Sequence, residues 1–580
     1  MTGPKNRARP AAACRRRHER GDVSDTFSTT GTESDATEAA SADDRWWRDA
    51  VVYQIYPRSF ADGDGDGMGD FAGITSKVPY LARLGVDAVW ISPFYVSPQR
   101  DAGYDVADYT DVDPRFGSLA DVDAFIAVAH AAGIRVIVDL VPNHSSSAHP
   151  WFQAALASAP GSRERARYMF RRGSGPDASL PPNNWHSVFG GSAWEPVGDG
   201  DWYLHLFDPS QPDFDWSDPE VADMFDDVLR FWLDRGVDGF RVDVAHSLVK
   251  AEGLPDNTVM RDIQGAGGDR GPMWDQDGVH DIYRRWRRLL DAYTPPRILV
   301  AEAWVHPADR MARYVRADEM HQAFNFPYML SGWSAQALRA TIDESLAANH
   351  AVDATTTWVQ SNHDVVRHAT RFGQADPTTW VNGIGPDDPQ PDRELGLRRA
   401  RAIALLTLAL PGSAYIYQGE ELGLPDHTTL PADVRQDPTF IRTGGAEIGR
   451  DGCRVPLPWR ADAPAFGFNE TGASWLPQPA VFGELAADVQ EDDPASTLSL
   501  YRSALRLRHE RGLGRTALAW NDSPATALDA DLGDLRMIVN TGSEPVALPE
   551  DARVLLASVP DAVADGRLAG DAAVWLDLRG

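Results

Sequence analysis

Eight apolar runs, each followed by a stretch of helical periodicity or a loop, constrain this chain more than any other feature. The runs lie at 51–60, 86–93, 134–144, 239–246, 297–304, 321–328, 355–364 and 413–422. Helical patterns cover 70–85, 118–133, 219–236, 282–293, 334–349, 394–410 and 498–510. In the first of these, Ile74, Val78 and Leu81 recur at i, i+4 and i+7, which is one face of a helix. Strands that alternate with helices of this length pair in parallel, because a parallel neighbour is reached only by a long crossover. Eight such units predict a (β/α)8 TIM barrel. Two segments break the rhythm. Residues 145–216 are rich in Pro, Gly, Ser, Asn and aromatics and read as a small domain inserted after the third strand. Residues 514–580 hold short apolar runs separated by turns and read as a small C-terminal antiparallel β domain. The barrel is then expected in two parts, 45–144 and 217–513, behind a tail at 1–44.

Composition narrows the partners. A formal net charge of -30 argues against nucleic acid and anionic membranes, and favours a small neutral or cationic ligand. The first 44 residues carry Arg, Ser, Thr, Ala and acidic groups without a long apolar run, the composition of a disordered tail. Only two cysteines occur, Cys14 and Cys453, so no disulfide framework is expected. No apolar segment follows the Arg15-Arg16-Arg17 cluster, and a cytoplasmic protein is the expectation.

Barrels of this kind carry their chemistry at the C-terminal ends of the strands. At those ends stand Asp139 and His144 on the third strand, Asp243 on the fourth, Glu302 on the fifth and Asp364 on the seventh. Strand alternation sends Phe240 and Val242 to one face and puts Arg241 and Asp243 together on the other. A guanidinium beside a carboxylate favours ionisation, so Asp243 is expected to have a lowered pKa and to suit a nucleophile. Glu302 sits between Ala301 and Ala303, with Trp304 two residues on, and apolar flanks raise a carboxyl's pKa until it keeps a proton. Taken singly, each acid reads as the partner of an arginine or a helix end. Together they fit glycosidic cleavage with retention, which needs an ionised nucleophile and a protonated acid about 5 to 5.5 Å apart.

The motifs Asp139-Leu-Val-Pro-Asn143-His144, Gly239 to His246, Ala301-Glu302-Ala-Trp304, Ser361-Asn-His363-Asp364 and Gln211-Pro-Asp213-Phe214 resemble, in order and spacing, those of the α-amylase superfamily of glycoside hydrolases. Within that family, glycoside hydrolase family 13, the resemblance is to the α-glucosidase and oligo-1,6-glucosidase branch. It implies Asp243 as nucleophile, Glu302 as acid/base and Asp364 as transition-state stabiliser. It also implies that Arg241, His144 and His363 bind sugar hydroxyls. In Arg100-Asp101-Ala-Gly-Tyr104-Asp105 it implies that Asp101 grips the terminal sugar and that Tyr104 forms a stacking floor. Arg454 resembles the arginine that pairs with that aspartate and closes one end of the groove, which implies exo attack on a short oligosaccharide. Val-Pro-Leu-Pro-Trp after Arg454 departs from the branch's usual Thr-Pro-Met-Gln-Trp.

Val244 follows the nucleophile, where valine in this branch often accompanies α-1,6 cleavage; Ala245-His246 departs from the common oligo-1,6-glucosidase pattern and looks closer to α-glucosidases of high-GC bacteria, so the linkage stays open. Glucosyl-transferring relatives such as trehalose synthases share all these motifs. A more distant alternative is the non-catalytic barrel subunit of a transporter, which has a membrane helix and lacks the acids. Asp62, Asp64, Asp66, Met68 and Asp70 place ligands at alternate positions around a glycine, like an EF-hand loop without its closing glutamate. The resemblance implies a structural Ca2+ there, and no organic cofactor. Oligomeric state does not follow from any of these motifs.

Overall fold

Val, Ile, Ala and aromatic side chains build eight short strands, β1 Val51–Ile55, β2 Ala88–Ile91, β3 Arg135–Leu140, β4 Gly239–Val242, β5 Ile298–Ala301, β6 Gln322–Ala323, β7 Thr357–Val359 and β8 Ser413–Tyr417. These are strands of a computed structural model that describes residues 45–258, 271–550 and 553–579. The tail expected over 1–44 lies outside the described residues. From Trp46 onward the chain forms one compact unit.

The eight strands make one parallel sheet in the order β6-β5-β4-β3-β2-β1-β8-β7. A single parallel bridge from Phe324 to Thr357 joins its two edges and completes the ring. Side-chain alternation then divides the apolar residues into two layers. Val52, Ala88, Trp90, Ile137, Val300, Val359 and Tyr415 pack inside the barrel. Their strand neighbours Val51, Tyr53, Val89, Val136, Phe240, Val242 and Leu299 pack outward with the helices. The helix Pro219–Asp234 shows why the outer layer holds. Asp218 caps its N-terminus, Pro219 takes the first position, and Val221, Phe225, Val228, Leu229 and Trp232 form the buried face. Truncating Trp232, which is fully buried, costs about 3 to 5 kcal/mol.

Two expected elements differ from the pattern. The strand read over 51–60 stops at Ile55, because Pro57 begins a helical turn, Pro57–Phe60. The helix read over 70–85 is two helices, Phe71–Ser76 and Val78–Leu84. The break falls at Lys77, with φ -100° and ψ 0°, two residues before Pro79, which lacks an N–H, while Ile74, Val78 and Leu81 all stay buried. The strands are also shorter than their apolar runs. Asp243 and Glu302 therefore stand on the first loop residues beyond β4 and β5, and Asp364 five residues beyond β7.

Residues 145–216 contain a three-stranded antiparallel sheet, Phe170–Arg172, Asp201–Leu204 and Trp194–Pro196. Its aromatics Trp185, Phe189 and Trp194 are buried with Val244, Met273 and Trp274 from the barrel mouth, so this segment is packed onto the loop after β4. Residues 518–577 form a five-stranded and a three-stranded antiparallel sheet. Trp575 joins the first to the barrel by donating to Leu405 O on the helix Arg393–Ala409. The long excursion at 424–496 returns to the mouth, where Thr439, Glu447 and Arg450 face the cavity and Arg442 donates to Gly190 O.

Candidate active site

A cavity of about 940 Å³ opens at the C-terminal end of the barrel. Asp243, Glu302 and Asp364 all line it, with Asp101, Tyr104, His144 and Val244. Their meeting is fixed by register. Arg241 lies directly beside Asp139 across β3 and β4, and its Nη1 is 2.9 Å from Asp139 Oδ1 and 2.7 Å from Asp243 Oδ1. Its Nη2 stands 3.6 Å from Glu302 Oε2. One buried guanidinium thus serves three carboxylates.

The backbone after β4 is strained. Val244 has φ 43°, the left-handed region, where a β-branched side chain costs about 1 to 3 kcal/mol. That turn aims Val244 N–H at Glu302 Oε2, 2.6 Å away, while Trp304 Nε1 donates to Glu302 Oε1 at 3.0 Å. Both Glu302 oxygens are therefore oriented by donors. Nothing in the residue order signals this turn, since Val244 continues an apolar run.

Burial dominates the electrostatics. It pushes Asp139 up to about 6 against the pull of Arg241, Tyr104 and Trp90. It raises Glu302 as well, as the alanine flanks led us to expect, with Arg241 and the Val244 N–H opposing. Asp243 departs from expectation. Burial raises its pKa, Arg241 opposes, and the negative charges of Glu302, Asp139 and Asp364 add to the rise. The single arginine is divided among several acids and does not hold Asp243 low. Asp364 goes the other way. Burial opposes its ionisation, but His363, Arg450 and Arg454 outweigh it and hold it well below the ordinary carboxylate range. Since burial keeps His363 itself neutral, the two guanidiniums carry the charge.

The sequence reading paired Arg454 with Asp101, and this is corrected. Arg454 Nη2 meets Asp364 Oδ1 at 2.9 Å and its Nε donates to His363 O. The partner of Asp101 is Arg450, one turn earlier in the short helical segment at 450–454, with Nη2 2.8 Å from Asp101 Oδ1. Arg450 also reaches Asp364 at 2.9 Å and Asp437 at 2.6 Å. Arg450 lies four residues before Arg454, and spacing alone does not tell which arginine points into the cavity. Arg241, His363 and Arg454 do not line the cavity and lie behind its wall. His363 stacks under Tyr104, with ring centroids 5.2 Å apart. His144 does line it, held at Nε2 by Tyr104 O at 3.1 Å.

Other lining groups carried no motif. Phe326, Trp304 and Trp380 form an aromatic wall from beside Glu302 to the opening. Trp304 stacks on Phe326 with centroids 4.0 Å apart and meets Trp380 edge-on, and Trp380 is 43% exposed. His186, Asn257, Asn382 and Glu447 also line the cavity.

In the loop after β1, carboxylate oxygens of Asp62, Asp64 and Asp70 lie within 4.8 Å of one another. Three hard oxygen donors at that spacing suit a calcium ion. Asp66 and Met68 do not share in this side-chain cluster: Asp66 Oδ1 accepts from Met68 N, and Met68 Sδ accepts from Arg58 Nε.

Comparison with known proteins bears on what such a cavity does. The alpha amylase catalytic-domain family matches residues 54–515, and a domain of unknown function matches 506–575. A probable alpha-glucosidase of Rhizobium meliloti (strain 1021) is 39% identical over 498 residues, 82% of this chain and 85% of that protein. The oligo-1,6-glucosidase of Parageobacillus thermoglucosidasius is 33% identical over 538 residues, 86% of this chain and 90% of that one. Among solved structures, the alpha-glucosyl transfer enzyme XgtA superposes with a TM-score of 0.81 at 36% identity, covering 92% of this chain and 99% of that one. The trehalulose synthase MutB from Pseudomonas mesoacidophila MX-45 superposes at 0.80 and 31% identity, covering 92% and 99%.

Proposed function

We propose that this chain, which belongs to the α-amylase family of glycoside hydrolases, is an exo-acting retaining α-glucosidase that releases the non-reducing terminal glucose of short malto- or isomalto-oligosaccharides. The observation that carries this reading is the closed end of the cavity. There Arg450 ties Asp101 to Asp364, and all three side chains line the cavity together with Asp243 and Glu302. A blocked end favours attack from the chain terminus over internal cleavage.

The chemistry follows from the two acids on Arg241. At 2.7 Å the guanidinium favours the charge on Asp243 more than on Glu302 at 3.6 Å, against the neighbouring acids that raise Asp243 and the Val244 N–H that favours charge on Glu302; retaining cleavage requires the one shared proton on Glu302. Asp243 attacks the anomeric carbon while Glu302 gives its proton to the departing glycosidic oxygen, which leaves as an alcohol. Glu302, now ionised, takes a proton from water, and that water displaces Asp243 from the glucosyl ester with a second inversion. Asp364, kept ionised by Arg450 and Arg454, accepts from sugar hydroxyls and favours the positive charge that develops on the ring.

Glucosyl transfer is the second reading. The apolar wall of Phe326, Trp304 and Trp380 supports it, because an aromatic face beside the acid/base can hold an acceptor ring where water would enter. We also propose that Asp62, Asp64 and Asp70 hold a calcium ion that pins the loop after β1. Among the described residues no helix is long and apolar enough to cross a membrane.

The test is initial glucose release from maltose and from isomaltose, with the product anomer and any transfer products recorded. Release from either as α-glucose, lost in Asp243→Asn, is the expected result. Disaccharide products in place of free glucose favour transfer. No release, or release that survives in Asp243→Asn, overturns the nucleophile.

A further inference from the structure

Lys250 is one of only three lysines in the chain, and its side chain is completely buried. Its ammonium is 2.8 Å from Asp213 Oδ2 and donates at 2.8 Å to Asn143 Oδ1. Asn143 faces the cavity's His144 rather than the cavity itself. Its Nδ2 donates to Asp213 Oδ2 at 3.1 Å and lies 3.2 Å from His144 Nδ1. The amide can stand only one way round. Flipped, it would set its N–H groups against the lysine ammonium and its oxygen against the aspartate.

That orientation reaches the histidine ring. Nδ1 of His144 faces an amide that can only donate, so Nδ1 must accept and carries no proton. Nε2 faces the Tyr104 carbonyl at 3.1 Å, which can only accept. The Gln211 amide nitrogen also stands 3.1 Å from Nε2; with one hydrogen given to Asp101 Oδ2 and its oxygen taken by Asp208 N, it too can only donate, so among the described residues the Tyr104 carbonyl is the one acceptor against the ring nitrogens. A neutral imidazole has one proton, and only Nε2 has an acceptor for it. A second proton would meet the Asn143 N–H, which disfavours the imidazolium; burial acts in the same direction.

We infer that Lys250 and Asn143 are positioning residues that fix the ring proton of His144 on Nε2, where the Tyr104 carbonyl holds it until a substrate oxygen takes that carbonyl's place, so that this histidine meets substrate as a neutral donor. The nature of that oxygen, a sugar hydroxyl, rests on the α-glucosidase reading; the place of the proton does not. The arrangement also crosses the boundary between barrel and insert, since Asp213 belongs to the Gln211-Pro-Asp213-Phe214 turn and Lys250 to the loop after β4. Docking of residues 145–216 and the hydrogen-bonding state of His144 are thereby set by the same ion pair.

The experiment is the 15N spectrum of the full chain labelled at histidine, with His144 identified by the signals lost in His144→Asn. Expected for the wild type is a protonated Nε2 and a bare Nδ1 across about pH 6 to 8, where an ordinary histidine titrates. In Asn143→Asp an acceptor replaces the donor, and the proton moves to Nδ1 or both nitrogens become protonated. KM for maltose then rises about tenfold, the scale of one uncharged hydrogen bond. In Lys250→Met the amide oxygen keeps only Ser247 Oγ, at 2.8 Å, and a fraction of the ring protonated at Nδ1 appears beside the Nε2–H form. A wild-type ring protonated at Nδ1 overturns the inference, as does a tautomer unmoved in Asn143→Asp. So does a moved proton with an unchanged KM. A wild type that shows the Nε2–H ring yet releases no glucose from maltose or isomaltose sinks the α-glucosidase reading and leaves the proton assignment standing.

Discussion

Removing the guanidinium of Arg450 without its bulk, as Arg450→Met, tests how the cavity is closed. The side chain makes three carboxylate contacts, to Asp101, Asp364 and Asp437. At charge separations near 4 Å and an effective dielectric of about 20, each is worth about 4 kcal/mol before compensation. Some compensation remains, because Asp364 keeps Arg454 and Asp101 keeps the Gln211 amide. Stranding one partner of a buried pair costs about 3 to 5 kcal/mol. If about 3 kcal/mol of this falls on transition-state binding, kcat/KM for maltose drops about 100-fold or more at 25 °C. The pH profile gives an independent sign. Asp364 is depressed in the folded protein, so its stabilising contribution is present above the ordinary carboxylate range and is lost as pH falls through the depressed value. Without Arg450 that value rises, and the acid limb of both activity and thermal stability moves to higher pH. Glucose release over a pH series and a thermal melt read both effects. A variant within threefold of the wild type, with an unmoved acid limb, refutes the argument.

Three further outcomes are expected. Glu302→Gln should lose hydrolysis of maltose, because an amide has no proton to give the departing oxygen; glucose release within about tenfold of the wild type refutes its role as the acid. Glu420 is buried, and burial pushes its pKa up to about 8, so the folded state holds a proton that the unfolded state has lost. Its contribution is complete below its ordinary pKa and drains away as pH climbs to about 8, and Glu420→Gln should flatten that slope in denaturant titrations. Chelation with EDTA should lower the melting temperature, with recovery on adding Ca2+ but no recovery in Asp62→Ala; an unchanged melt argues against a bound ion.

Much of this architecture is legible in the residue order, for a physical reason. Apolar runs of strand length alternating with helical periodicity can be buried by parallel βα pairing, and eight of them close a ring. Inner and outer faces of β4 follow from alternation alone, which is why Arg241 and Asp243 could be paired before any coordinates. Helix ends were legible where Asp218 or Ser118 caps and Pro219 starts a turn, and illegible where Pro79 splits one pattern in two. Contacts between remote loops were not legible. Arg450 and Arg454 carry the same charge four residues apart, and only the path of the excursion at 424–496 decides which reaches Asp101. The pKa of Asp243 likewise depends on how many acids share one guanidinium and how dry the site is, and neither quantity exists along a strand.

The residue sequence by itself determined the barrel, the inserted and C-terminal sheet regions and the set of acids, because these rest on local periodicity and on the fixed geometry of strands. The tertiary structure alone decided which arginine closes the cavity, that Val244 turns its N–H onto Glu302, and that Lys250 orients Asn143 and His144. Those are facts of distance between segments far apart in the chain, where a shift of a few ångströms changes which charge meets which.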